Sequence, residues 1–223
     1  MNSPISETVY HRYIKLLLQG NRSECLSIAR SLLSPDFSIF DIYEQLFKPS
    51  LYDIGDLWAK NMITVADEHI ATAITESLIA QLQPGRAENS RRQQRVLISC
   101  VAADLHQIGA KMVANLFEHC GWDTFYLGAN MPVTDLLDAI NRIQPEIICL
   151  SLGLIEHFKP LAVIIHEIQL SHPQIPVVVG GLAFLNTGPD VHGLDRFQNV
   201  HILQSMTQLE HFISGFNSRL FEK

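Results

Sequence analysis

Through residues 10–82 apolar side chains recur at three- and four-residue spacings. Tyr10, Tyr13, Ile14, Leu16, Leu17 and Leu18 make one such stripe. Cys25, Ile28 and Leu32 make a second, Ile39, Ile42, Leu46 and Leu51 a third, and the span from Ile63 to Leu82 a fourth. Each stripe predicts an amphipathic helix, and four such helices predict a small bundle over residues 1–83. Asp36 and Ser38 are candidate N-caps for the third helix. Residues 84–94 are polar and contain Pro84-Gly85 and three arginines, the pattern of a connector. From residue 95 to the end the period changes. Short β-branched runs predict strands near 95–101, 123–127, 146–152, 176–180 and 200–203. Helical stripes near 109–120, 133–143, 159–171 and 205–217 alternate with them, and a less regular segment precedes the last strand. Such alternation with short connections predicts an α/β domain whose parallel sheet is covered on both faces.

Composition narrows the class without naming a function. The 223 residues, 47% of them hydrophobic, suffice for one large core or two modest ones. No apolar run approaches the roughly 18 to 20 residues of a membrane span. The polar start Met1-Asn2-Ser3-Pro4 has no signal-peptide character, so a soluble, cytoplasmic protein is expected. Cys25, Cys100, Cys120 and Cys149 show no CxxC spacing and are expected to be thiols rather than disulfides or zinc ligands. A net charge of −7 without a long basic run argues against direct nucleic-acid binding. There is no nucleophile elbow, phosphate loop or substrate-side acid/base pair, so an independent enzyme is not expected.

The chemistry concentrates at predicted strand ends. The run Arg95 to Val101 leads through two alanines into Asp104-Leu105-His106-Gln107-Ile108-Gly109, which places His106 in the loop where open α/β sheets hold ligands. An Asp two residues before a His can accept a hydrogen bond from one ring nitrogen and make the other a better metal donor. Gly109, without a Cβ, leaves room for something bulky beside the backbone. The next strands end in Ser151-Leu152-Gly153 and in Gly180-Gly181.

Asp104, His106 and Gly109 in this order resemble the DxHxxG signature of cobalamin-binding domains, which a later strand-end Ser and a Gly-Gly pair accompany. The resemblance implies a Rossmann-like (flavodoxin-like) sheet domain over residues 95–223. It makes His106 the lower axial ligand of cobalt in place of the cofactor's dimethylbenzimidazole, with Asp104, Ile108 and Gly109 around it. It places Ser151, Leu152, Gly153, Gly180 and Gly181 along the nucleotide tail. Relatives commonly carry Ser-x-Leu where this chain has Gly153, which implies a differently shaped tail pocket. Gly181 reads as a loop edge, where a valine is expected to exclude the tail and leave the fold intact.

A second constellation lies in the helical half, where Trp58 is followed ten positions later by Glu68-His69. With the cobalamin motif it resembles the sensory half of light-sensing repressors of the carotenogenesis type, in stand-alone form. The resemblance implies a helical cap whose Trp58 and Val65 cover the upper face of adenosylcobalamin while Glu68 and His69 border the adenosyl group. The DNA-binding helix-turn-helix domain of those repressors has no counterpart here, so regulation is expected through a partner protein or a homo-oligomer. Ala59 stands where they can carry a cobalt-capturing His. Two alternatives stay open: a corrinoid methyl carrier of a methyltransferase system, and a variant of the fold that binds heme or a bilin, since some stand-alone relatives hold a linear tetrapyrrole.

Overall fold

A computed structural model describes residues 5–82, 94–185 and 193–220. The chain divides into two compact units, Met1–Gly85 and Arg86–Lys223. Most of the expected connector, 84–94, and part of the expected irregular segment lie outside the described residues.

The first unit is helical: α1 (Glu7–Leu18), α2 (Arg22–Leu32), a short α3 (Ile39–Ile42), α4 (Lys48–Ala59) and α5 (Val65–Gln81). A π-helical turn, Tyr43–Phe47, joins α3 to α4, so the third helix of the expected bundle is continuous but interrupted in its hydrogen bonding. Pro49 explains the interruption: it brings no N–H and its ring crowds the carbonyl four residues back, and the wider turn just before it absorbs both. Buried aromatics fill this region, with Phe47 about equidistant from Tyr13 (6.0 Å between ring centres) and Tyr43 (5.9 Å). Of the two expected caps only Ser38 serves, in a reciprocal box with Asp41. Asp36 instead occupies the turn of a Ser34–Phe37 bridge. α5 begins two residues later than its apolar stripe, because Thr64 and Asp67 form a second capping box that fixes the start at Val65.

The second unit is a five-stranded parallel sheet in the order β2-β1-β3-β4-β5: β1 (Arg95–Cys100), β2 (Asp123–Gly128), β3 (Ile147–Ser151), β4 (Val177–Gly180) and β5 (Val200–Ile202). Helices α6 (Ile108–His119), α7 (Val133–Ile143), α8 (Phe158–Ser171) and α9 (Met206–Leu220) connect or follow the strands. α6 packs with α9 and α7 with α8, so both faces are covered. This explains why the central strands read as unbroken apolar runs: Val96, Leu97, Ile98 and Cys100 on β1 and Ile147 to Leu150 on β3 are all buried. The edge strands β2 and β5 are only partly so. The chain runs outward from β1 to β2 and then crosses back to β3. The loops after β1 and β3 therefore diverge at a topological switch point, where such sheets open a crevice.

Candidate corrinoid site

Asp104 lies in the loop after β1 and is fully buried, while the side chain of His106 is about half exposed. Asp104 Oδ1 is 2.8 Å from His106 Nδ1 and accepts the His106 backbone N–H at 2.9 Å. Its other oxygen, Oδ2, accepts the backbone N–H of Gly153 from the loop after β3. Burial pushes this carboxyl upward, but the hydrogen bonds from His106 and Gly153 and the His106 charge outweigh it and hold the group below the usual carboxylate range. An ionised Asp104 accepting from Nδ1 fixes the proton there and leaves the lone pair on Nε2, the nitrogen that would reach a metal.

Gly153 is the counterpart of this geometry. A Cβ at this position would lie 2.6 Å from His106 Cβ and 2.8 Å from Nδ1, so the imidazole rests where any other residue would put its side chain. The departure from Ser-x-Leu thus acts on the candidate ligand itself, a role that spacing alone did not reveal. Ser151, the last residue of β3, is half-buried and pairs in register with Cys100, whose thiol donates to the His106 carbonyl (3.6 Å) and is pushed up to about 12 by burial. The Leu152 side chain is wholly buried in the sheet core, so what it can offer the loop after β3 is its backbone.

The Gly-Gly pair is tighter than a loop edge. Gly180 pairs with Ser151 in register, and a Cβ on it would sit 2.9 Å from the Leu203 carbonyl. Gly181 has φ +117°, and its Cβ would lie 2.3 Å from the Leu152 carbonyl oxygen. A valine at 181 therefore cannot leave the fold intact, which corrects that expectation.

Ile108 and Gly109 open α6, with Tyr126 Oη donating to the Gln107 carbonyl just before them (3.3 Å). A Cβ on Gly109 would meet nothing within 4 Å, so space is open there. Leu105, Leu154, Ile155 and Leu182, all in loops that follow β1, β3 and β4, are exposed. Among the described residues no group of three His, Cys, Asp or Glu side chains converges on a metal position. A single imidazole, held in one tautomer and surrounded by open space and apolar loop residues, suits a metal whose other ligands come from a large macrocycle.

The helical constellation gathers at the reversal between α4 and α5. Asn61 adopts φ 55°, and the N–H groups of Asn61 and Met62 cap the carbonyls of Trp58 (2.8 Å) and Leu57 (2.9 Å), which ends α4 in a Schellman turn. Trp58 and Val65 are each half exposed on either side of this turn, and Met62 and Ile70 are exposed as well. Glu68, three-quarters buried, accepts from Thr72 Oγ1 at 2.8 Å, and its other oxygen is 3.6 Å from Nε2 of the exposed His69.

Sequence reasoning missed Asn130, in the connection from β2 to α7. Its side-chain oxygen accepts the Ala103 N–H at 2.8 Å, and its own N–H donates to the Asp104 carbonyl at 3.0 Å. The signal was present in Gly128-Ala129-Asn130-Met131-Pro132, turn chemistry at a strand end beside the ligand loop.

Comparison with known proteins agrees with this geometry. Residues 94–192 match a B12 binding domain model, and residues 9–83 match a second B12 binding domain model. The HTH-type transcriptional repressor CarH of Myxococcus xanthus is 25% identical over 142 residues, 63% of this chain and 47% of the repressor. CarA of the same organism is 27% identical over 120 residues, 54% of this chain and 41% of that protein. The chain thus spans less than half the length of these two repressors. Trimethylamine corrinoid protein 1 of Methanosarcina mazei is 20% identical over 184 residues, 76% of this chain and 81% of that protein. The Methanosarcina barkeri monomethylamine corrinoid protein superposes with a TM-score of 0.76 at 10% identity, covering 94% of this chain and 98% of that one, which shows a shared fold. Helical unit, five-stranded sheet and His106 loop together place the chain in the B12-binding family, as a cobalamin-binding protein with an N-terminal helical domain and a Rossmann-like domain.

Proposed function

We propose that the chain is a non-catalytic sensory module that holds adenosylcobalamin and responds to light. The observation that carries this reading is the half-exposed Trp58 indole at the α4–α5 reversal, flanked by exposed Met62, Val65 and Ile70, with Glu68 held ready by Thr72. Apolar side chains clustered in the open mark a surface made for a ligand or partner. When bound, adenosylcobalamin supplies a cobalt–carbon bond that light cleaves. His106 would be the lower ligand, with Asp104 fixing its tautomer. Trp58 and Val65 would shield the upper face, while Glu68 would accept hydrogen bonds from ribose hydroxyls beside His69. The output would pass through a homo-oligomer or a regulatory partner protein, since two arrangements that differ in affinity for the adenosyl group can be switched by its loss.

A specific observation favours a second reading: the corrinoid carrier of Methanosarcina mazei is matched over 81% of its length, the repressor CarH over 47%. A methyl carrier, however, must open its upper face to partner enzymes, and a Trp with a carboxylate for ribose fits that less well. The deciding experiment reconstitutes the protein in the dark with adenosylcobalamin or methylcobalamin, then illuminates it while recording the visible spectrum and the elution volume. Preference for adenosylcobalamin with a light-dependent change in elution supports the sensor. Equal affinity and no change in elution replace it with the carrier, and copurification of heme or a bilin in place of a corrinoid overturns both.

A further inference from the structure

We propose that Asn130 is a positioning residue for His106, clamping the loop after β1 in the conformation that presents the imidazole. The proposal rests on the reading of His106 as the cobalt ligand. Ala103, just before Asp104, has φ 68°, a left-handed conformation that a residue with a Cβ adopts only when its surroundings enforce it. What enforces it is reciprocal: the Ala103 N–H donates to Asn130 Oδ1 (2.8 Å), and the Asn130 N–H donates to the Asp104 carbonyl (3.0 Å). Asn130 itself stands at φ 52°, where asparagine is better tolerated than most residues. The Asp104 N–H closes the turn onto the Val101 carbonyl at 3.1 Å.

Asp104 is thereby fixed twice. Asn130 and Val101 hold its main chain, and the Gly153 N–H holds its carboxylate. Because that carboxylate orients His106, the direction of the imidazole depends on a residue of a different loop that need not touch the ligand. Without the clamp, Ala103 can relax to negative φ, and the relaxation turns Asp104 and His106 together.

Three substitutions separate the contributions. Asn130→Asp keeps an acceptor oxygen and tolerance of positive φ, Asn130→Gly keeps only the tolerance, and Asn130→Ala keeps neither. Each is titrated with hydroxocobalamin against wild type and His106→Ala, and amide exchange at Ala103 is followed in the cofactor-free protein. The expected result is about a tenfold or greater loss of affinity in the Gly and Ala variants, comparable to the loss of an outer-shell partner. Their visible spectra should shift toward that of His106→Ala and their Ala103 exchange should quicken, with both restored in Asn130→Asp. Wild-type affinity and spectrum in the Gly variant overturn the proposal. So does weakened binding with an unaltered spectrum, which marks general destabilisation. A wild type that takes up no corrinoid overturns the cobalamin reading instead, and Ala103 exchange still shows whether Asn130 orders the loop.

Discussion

Asp104 Oδ1 takes both the ring and the backbone N–H of His106, at 2.8 and 2.9 Å, while Gly153 takes up Oδ2. This distribution makes Asp104→Asn asymmetric. The new carbonyl can serve His106, but the amide then turns its N–H groups toward the Gly153 N–H, two donors face to face in a buried site. Stability should fall by about 1 to 3 kcal/mol, the cost of a buried unsatisfied donor, as read from urea denaturation. Corrinoid affinity should fall by about 10 to 100-fold, whereas His106→Ala should abolish the histidine-ligated spectrum altogether. Equal affinities in wild type and His106→Ala would remove His106 as ligand.

Gly153→Leu puts a side chain where the imidazole rests and should be the most selective lesion of the site. Its Cβ would overlap both the imidazole and His106 Cβ (2.6 Å), which a turn of the ring cannot relieve, so the exposed loop that carries His106 must shift and the Nδ1–Asp104 geometry is lost with it. His106 is half exposed and has room to move, so the sheet should remain folded while corrinoid affinity drops. Calorimetry paired with a melting curve checks this: a large loss of affinity with little change in melting temperature is expected.

Gly181→Val should do the opposite. Left-handed backbone with a side chain costs about 1 to 2 kcal/mol, and overpacking against the Leu152 backbone adds about 1 to 3 more. A urea midpoint close to wild type would mean that the β3 and β4 ends separate more readily than their backbone contact implies.

The contrast between these two glycines marks what a single sequence conveys. Among the described residues of the sheet unit, the alternation of apolar runs predicted the five strands and the four α-helices but not the short 3-10 turns Ile155–His157, Leu182–Phe184 and Leu194–Arg196; strands buried on both faces must be apolar throughout, and Val96 to Cys100 show it. The DxHxxG spacing likewise predicted the Asp104–His106 pair, since a hydrogen bond over two residues is a local matter. Whether Gly153 faces the nucleotide tail or His106 depends on how the loops after β1 and β3 meet, residues 49 positions apart, and no local pattern encodes that. The π turn before Pro49 was hidden because Ile42, Leu46 and Leu51 keep an acceptable helical spacing across it.

The Trp58 and Glu68 variants test the light response itself. In Trp58→Ala the α4–α5 reversal keeps its main-chain caps, so the helical unit should fold as before. Removing a half-exposed indole should cost little stability, yet it strips the proposed shield of the upper face. Glu68→Gln retains an oxygen for Thr72 Oγ1 but loses the charge that would favour ribose hydroxyls, so adenosylcobalamin should lose more affinity than methylcobalamin. Ala59 offers no donor atom, so after illumination water or His69 is expected in the vacated position, and the photoproduct of His69→Ala compared with wild type distinguishes them. Wild type should change its elution volume on illumination, and both Trp58→Ala and Glu68→Gln should blunt that change. If all of them respond alike, or discriminate alike between adenosyl- and methylcobalamin, the α4–α5 constellation plays no part in sensing; if wild type itself shows neither a light-dependent change in elution nor a preference for adenosylcobalamin, the carrier reading takes its place.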